Sequence, residues 1–405
     1  MPEHGQSSTT AGARAYRLSS IDMLRGLAIV IMAIDHSRDF FMSAGELEPA
    51  ANPSIGAALF FTRWITHFCA PTFVFLAGTS AGLMVGRKSR GELGRFLFSR
   101  GAWLVLIEAV IISTAWTFSP GGMEELGGIV RVPMQVIFAI GASMMMLAAA
   151  QGLGRRTCAW LGAAVVLGHN LLDPVWPQTS LLDAATSGPW WAFLHSQTTY
   201  LVGPILIRVT YPLLPWIGVM LLGFGTASVF EAPPARRKTL LLASGIAASV
   251  AFVLIRATGL YGDPNPWQWD ASPVRAAIDF LNTTKYPPSL LFLLMTLGPA
   301  AILCALAELV PGAIQERLVT FGRAPFAFYV AHLYVLHAGS AVLGALQGFE
   351  PWQFLTVFQL FPRGYGLSLP GVYAVWVLVV IALYPLCRWV SAVKARRRDW
   401  WLSYL

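Results

Sequence analysis

Ten stretches of this chain are long and apolar enough to dissolve in a bilayer, and that repetition constrains the fold more than any other feature. They cover residues 21–41, 57–85, 101–118, 131–150, 157–171, 211–230, 239–260, 286–309, 318–346 and 369–393. A helix needs about 20 residues, at ~1.5 Å rise each, to cross a hydrocarbon core. Within lipid every backbone N–H and C=O must be satisfied inside the protein, so a span is a helix or part of a closed barrel. The alternation of a barrel strand is missing from these stretches. The predicted fold class is all-α: a polytopic transmembrane helix bundle of about ten spans. Only 12% of the 405 residues are charged while 56% are hydrophobic, and a soluble domain carries about 25% charged residues. So few charges cannot coat a soluble particle. A cytosolic globular enzyme, a disordered chain and a nucleic-acid binder are excluded, despite the formal net charge of +8.

Basic residues orient the bundle. With the N-terminus cytoplasmic, 20 of the 28 Lys and Arg fall on the cytoplasmic side, the cluster Arg87-Lys88-Ser89-Arg90 with Arg95 and Arg100 foremost. Both termini are then cytoplasmic. Residues 1–20 form an N-terminal tail, polar to Arg17 and without the apolar core of a cleaved signal peptide. Residues 21–393 form the membrane domain, and 394–405 a basic-aromatic tail whose Lys394–Arg398 run and Trp400–Trp401 pair suit anionic headgroups. The longest outer loops, 172–210 and 261–285, carry Trp176, Trp190, Trp191, Trp267 and Trp269, residues that commonly anchor at the membrane interface. Cys69, Cys158, Cys304 and Cys387 have no metal or redox spacing and read as small buried hydrophobes.

Charged side chains inside a span are costly and mark function. The first span holds Asp22, Arg25, Asp35, His36, Arg38 and Asp39. Arg25 and His36, eleven residues apart, project from one helix face ~16 Å apart along the axis. Asp22 is placed to pair with Arg25, Asp39 to orient the His36 ring, and Asp35 to meet Arg38. His67 shares a face with Arg63, and His332 lies mid-span. Histidines bonded to interfacial neighbours are the plainer reading of most of this set. Glu108 and Gln135, also within spans, fit either structural hydrogen bonding or a polar pathway. No metal is expected: His332 and His337 diverge by ~140° on a helix, and no His-x3-His pair shares a face.

The opening Arg17-Leu-Ser-Ser-Ile-Asp-Met-Leu-Arg-Gly-Leu-Ala-Ile-Val-Ile-Met32 resembles the first helix of heparan-α-glucosaminide N-acetyltransferase-like membrane proteins. Phe73–Ser80, His169-Asn-Leu-Leu-Asp173, Asn282-Thr-Thr-Lys-Tyr-Pro-Pro-Ser289 and the tail Tyr384–Leu405 resemble that group as well. The spacing Arg25-x10-His36 is similar to the signature of polytopic acyltransferases that modify surface glycans, in which the His is catalytic. The resemblance implies that residues 21–393 form a transmembrane acyltransferase-like domain. Its donor would be cytoplasmic acyl-CoA, acetyl-CoA first among them, and its acceptor an extracytoplasmic glycan-type or small molecule. On this reading His36, with Asp35 and Asp39, is catalytic, as general base or acyl carrier. Arg25, Arg87 and Arg90 bind CoA phosphates, and His67, Lys285 and His332 contact the acceptor. The protein would sit in the bacterial cytoplasmic (inner) membrane. The rival reading is a proton-coupled small-molecule transporter or exporter, using the outer histidines, Glu108 and Arg25 as a relay. Residues 21–171 and 211–393 show no internal repeat of the kind many transporters carry.

Overall fold

The computed structural model describes residues 7–43, 56–175, 189–270, 272–397, 399 and 402. Trp176, Arg398, Trp400 and Trp401 lie outside them, and the side chains of Arg14 and Arg17 are likewise not described. The chain is helical nearly throughout, and a helix occupies each of the ten expected stretches. The order is α1 (Ser7–Phe41), α2 (Ala57–Thr66), α3 (Cys69–Gly82), α4 (Arg90–Ile107), α5 (Ser113–Thr117), α6 (Val136–Ala150), α7 (Arg155–Gly168) and α8 (Pro189–His195). It continues with α9 (Leu213–Gly225), α10 (Pro234–Thr258), α11 (Pro273–Leu281), α12 (Leu290–Ala305), α13 (Gly312–Arg323), α14 (Pro325–Leu346) and α15 (Leu369–Arg396). Among the described residues seven helical runs are long and apolar enough to cross a membrane, and α12 is a shorter apolar helix. The charges spaced along α1 keep it out of that set although it is 35 residues long.

Prolines divide two of the expected spans. The 57–85 stretch is α2 followed by α3, with the break at His67 and Phe68. Pro71, having no N–H, cannot bond the His67 carbonyl four residues back. The 318–346 stretch breaks at Ala324, whose φ of −125° and ψ of 39° lie outside the helical region, as steric conflict with the following Pro325 requires. Pro299 and Pro385, by contrast, remain inside α12 and α15.

The expected helix over 131–150 begins instead as a strand, β1 (Val130–Met134), and turns helical only at Val136. β1 pairs in parallel with β3 (Ile205–Val209), which pairs antiparallel with β2 (Thr198–Val202). Val130-Arg-Val-Pro-Met134 alternates half-buried and buried side chains, and Pro133 would break a helix there. Glu108 explains why α6 starts where it does. It lies in a π-helical turn between α4 and α5, and its buried carboxylate accepts the Gln135 and Phe138 backbone N–H groups at 3.3 and 3.2 Å. These are N–H groups that the first turn of a helix leaves unpaired, so the in-membrane carboxylate caps α6 from another helix.

Glycine sets the closeness of the helix pairs. A Cβ on Gly26 of α1 would run into the Leu318 carbonyl of α13, and one on Gly322 of α13 into the Asp22 carbonyl. Gly78 and Gly223 play the same part between α3 and α9, as do Gly101 and Gly141 between α4 and α6. Small residues of this kind let membrane helices pack backbone to backbone. The central core gathers Ile29, Ala33 and Phe40 of α1, Trp116 of α5 and Phe328, Leu333 and Leu336 of α14.

Candidate active site

A cavity of about 920 Å³ opens at the end of the bundle that carries Arg25 and runs inward between α1, α3, α4, α6 and α14. Its mouth holds Arg25, Arg100, Arg323, Lys394 and Arg397, with Asp22 and Asp399; its depth is apolar, lined by Ile29, Met32, Val136, Ile140 and Met144. The basic rim is built from several helices. Arg25 donates to Asp22 at 3.3 Å, to the Leu76 carbonyl at 3.2 Å and to the Ser80 hydroxyl. Asp22 also lies 3.5 Å from Arg323, and Lys394 donates to the Arg323 carbonyl at 3.0 Å. Five cations against two carboxylates leave a positive field at the mouth.

The innermost polar wall is Tyr329, one helical turn into α14. Its ring meets His36 edge-on at 6.1 Å and His332 at 5.5 Å between centroids. His36 and His332 are stacked, 5.0 Å between centroids, and His36 Nδ1 lies 2.7 Å from His332 Nε2. His332 Nδ1 is 2.9 Å from the Phe328 carbonyl. A carbonyl only accepts, so His332 Nδ1 carries the proton and, in the neutral ring, Nε2 is the acceptor. His36 Nδ1 must then be the donor, which leaves the His36 Nε2 lone pair uncommitted. The polar network thereby selects one tautomer for each ring.

Outside the cavity lining, near the pair, lies a buried set of charges. Asp35 pairs with Arg63 and, at 3.3 Å, with Arg38; Asp39 accepts from Arg38 at 2.7 Å. Asp39 was expected to orient His36, but its carboxylate bonds Arg38, and the partner of the His36 Nδ1 is His332. Lys285, over the Tyr286 ring at 5.1 Å, is near enough to act electrostatically on Asp35, His36 and His67. His67 is buried against Phe292, 5.3 Å between ring centroids.

The motif around Lys285 folds as it does because of two buried anchors. Arg256 donates to the Phe280, Asn265, Asp279 and Asn282 carbonyls at 2.7–3.1 Å. Asp263 accepts from the Thr284 amide, the Thr284 hydroxyl and the Ser289 hydroxyl at 2.7–2.9 Å. Asn170 joins the two outer motifs: its side chain accepts the Leu290 N–H and donates to Asp173, both at 2.8 Å, and Asp173 in turn meets His195 at 2.9 Å.

The matching family model is that of the heparan-alpha-glucosaminide N-acetyltransferase catalytic region, over residues 17–258. The chain belongs to this family. No curated protein matches it. Heparan-alpha-glucosaminide N-acetyltransferase-like proteins are transmembrane acetyltransferases that use acetyl-CoA as donor, and the matched region runs from α1 to the last residue of α10. In this member of the acetyltransferase family the match takes in Arg25, His36, His67 and Arg100, while Tyr329 and His332 come from α14 beyond it.

Of the residues singled out in the sequence, the fold joins His36 to His332, brings Lys285 within electrostatic reach of Asp35, His36 and His67, ties Asp39 to Arg38, and sets Arg25 at the cavity mouth. It does not bring Arg87 and Arg90 there. Both are exposed, and the Arg90 carbonyl instead accepts from the Gln151 side chain at 2.9 Å. Arg100, Arg323, Lys394 and Arg397 occupy the mouth. Arg100 and the Lys394–Arg397 run stand out in the sequence as basic clusters, but that they meet Arg323 and Arg25 at one mouth depends on how α4, α13 and the end of α15 converge. Among the described residues no group of three His, Cys, Asp or Glu converges as a metal site would need.

Proposed function

We propose that the protein transfers an acetyl group from cytoplasmic acetyl-CoA to an amine or hydroxyl of a glycan-type acceptor on the other side of the bacterial cytoplasmic membrane. The observation that carries the proposal is the His36–His332 hydrogen bond, just past the inner end of a cavity with a basic mouth. The guanidinium groups of Arg25, Arg100 and Arg323 suit the phosphates of CoA. The apolar depth suits a pantetheine arm that carries the thioester inward. The excess of Lys and Arg on one side of the bundle supports a cytoplasmic mouth.

In the reaction, the acceptor N–H or O–H gives its proton to His36 Nε2 as the nitrogen or oxygen attacks the thioester carbonyl carbon. His332, held by the Phe328 carbonyl, keeps the His36 ring in the basic tautomer and shares the charge that develops on it. The tetrahedral intermediate collapses by breaking the carbon–sulfur bond. The departing thiolate takes the proton back from His36, so the products are acetylated acceptor and CoA. Lys285 and His67 contact the acceptor, and Asp35 and Asp39 hold Arg63 and Arg38 in place beside it.

The test is acceptor-dependent release of CoA thiol by the purified protein in detergent, using amino sugars and sugar alcohols as acceptors. Wild type should turn over, and His36→Ala should release no thiol while keeping its elution profile and thermal midpoint. A proton-coupled exporter would consume no acetyl-CoA, so a wild-type protein inert to every acceptor would favour that reading.

A further inference from the structure

Among the described residues, Tyr329 is the one polar side chain that lines the cavity and also packs on the histidine pair. It lies at 3% exposure, and its hydroxyl has no hydrogen-bond partner. A buried hydroxyl without a partner is costly, and such groups in native proteins call for an explanation. The hydroxyl belongs to a residue that lines the cavity. The ring is pinned edge-on against His36 and His332, so the donor is held in place before any ligand arrives. Trp116 has a buried, unpartnered indole N–H next to His36, at 5.2 Å between centroids, but Trp116 does not line the cavity.

We infer that Tyr329 is a catalytic residue whose O–H donates a hydrogen bond to the thioester carbonyl oxygen and stabilises the oxyanion formed on attack. The inference rests on the acetyltransfer reading above. Nothing is consumed in the step: as the nucleophile adds, the carbonyl π pair moves onto oxygen and is held by the Tyr329 O–H. It returns to re-form the carbonyl as the carbon–sulfur bond breaks. A preorganised donor in a dry site is worth a factor of about 100 to 1,000 in turnover. The two groups that act in the step also lie on separate helices, with the proton acceptor on α1 and the oxyanion donor on α14. The reacting carbonyl would thus be clamped between two helices.

The experiment compares wild type, Tyr329→Phe and His36→Ala in acceptor-dependent thiol release, with KM for acetyl-CoA and the thermal midpoint measured for each. Tyr329→Phe removes one oxygen atom. It should lower kcat about 100-fold, leave KM within about threefold and hold the midpoint. An active wild type together with a Tyr329→Phe variant of unchanged kcat overturns this role and leaves the acetyltransfer reading standing. An inactive wild type overturns both. To remove dependence on the folding of the Phe variant, 3,5-difluorotyrosine is installed at position 329, which keeps the ring and makes the phenol more acidic. A kcat that shifts while KM stays constant supports the donor, and an unchanged kcat overturns it.

Discussion

His36 Nδ1 stands 2.7 Å from His332 Nε2, joining α1 to α14 across 296 positions of sequence. The second nitrogen of His332 is tied to the Phe328 carbonyl four residues back, so the pair has a direction: carbonyl, His332, His36, open lone pair. The same logic orders a carboxylate, a histidine and a nucleophile in hydrolases, with His332, itself held by a helix carbonyl, here in the place of the carboxylate.

That direction makes His332 a positioning residue. His332→Phe keeps an aromatic ring beside Phe328 but withdraws the acceptor for His36 Nδ1. Turnover should fall about 100-fold with KM for acetyl-CoA unchanged. His332→Gln, whose amide oxygen accepts a hydrogen bond, should retain more activity than Phe. Equal kcat in wild type and both variants, measured by thiol release, would remove His332 from the mechanism.

The cavity mouth makes a separate prediction about affinity. Arg25→Gln and Arg100→Gln each withdraw one cation from the rim, and each should raise KM for acetyl-CoA about tenfold, equivalent to about 1.4 kcal/mol. Arg87→Ala and Arg90→Ala should leave KM unchanged, since both side chains are exposed and lie outside the cavity. The opposite ranking in titrations of rate against acetyl-CoA would move the phosphate site to the surface loop.

Glu108 predicts a change in stability and not in chemistry. Removing its carboxylate strands the Gln135 and Phe138 N–H groups at the start of α6. Glu108→Ala should therefore cost about 1–3 kcal/mol, read as a lower thermal midpoint in detergent. Glu108→Gln, which keeps an accepting oxygen, should lose less. Both variants should transfer acetyl groups at a temperature where they stay folded. Loss of turnover at full stability would place Glu108 on a polar pathway instead.

The glycine contacts between α1 and α13 can be tested without any assay of activity. Gly322→Val would drive a branched side chain into the Asp22 carbonyl, so this variant should lose its monodisperse elution, whereas Gly312→Ala, with open space around it, should elute as wild type. Similar behaviour of the two would mean that α13 is free to shift.

What a linear reading captures follows from what water and lipid impose residue by residue. A helix in each of the ten stretches was legible because a long apolar run that lacks the alternation of a barrel strand satisfies its backbone in a bilayer as a helix. The first helix stood out because five charges and a histidine there demand partners. The strand at Val130–Met134 was not legible, since apolarity alone does not separate a strand from the start of a helix, and its partner β3 lies about 75 positions downstream. The break before Pro325 was foreshadowed by the proline, although its effect depends on whether neighbouring elements hold the helix together.

The sequence by itself determined that this chain lives in a membrane, that its helices are apolar and that α1 carries a cation and an imidazole on one face. Those properties are set by transfer free energies and a 3.6-residue repeat, which are local. Only the tertiary structure decided that His36 bonds His332 and not Asp39, that Asp35 and Asp39 are taken up by arginines, and that the basic mouth is made by Arg25, Arg100, Arg323 and Lys394. A hydrogen bond reaches about 3 Å. Which of several eligible partners falls within that reach depends on how closely the glycine-faced helices approach one another, and no single segment contains that information.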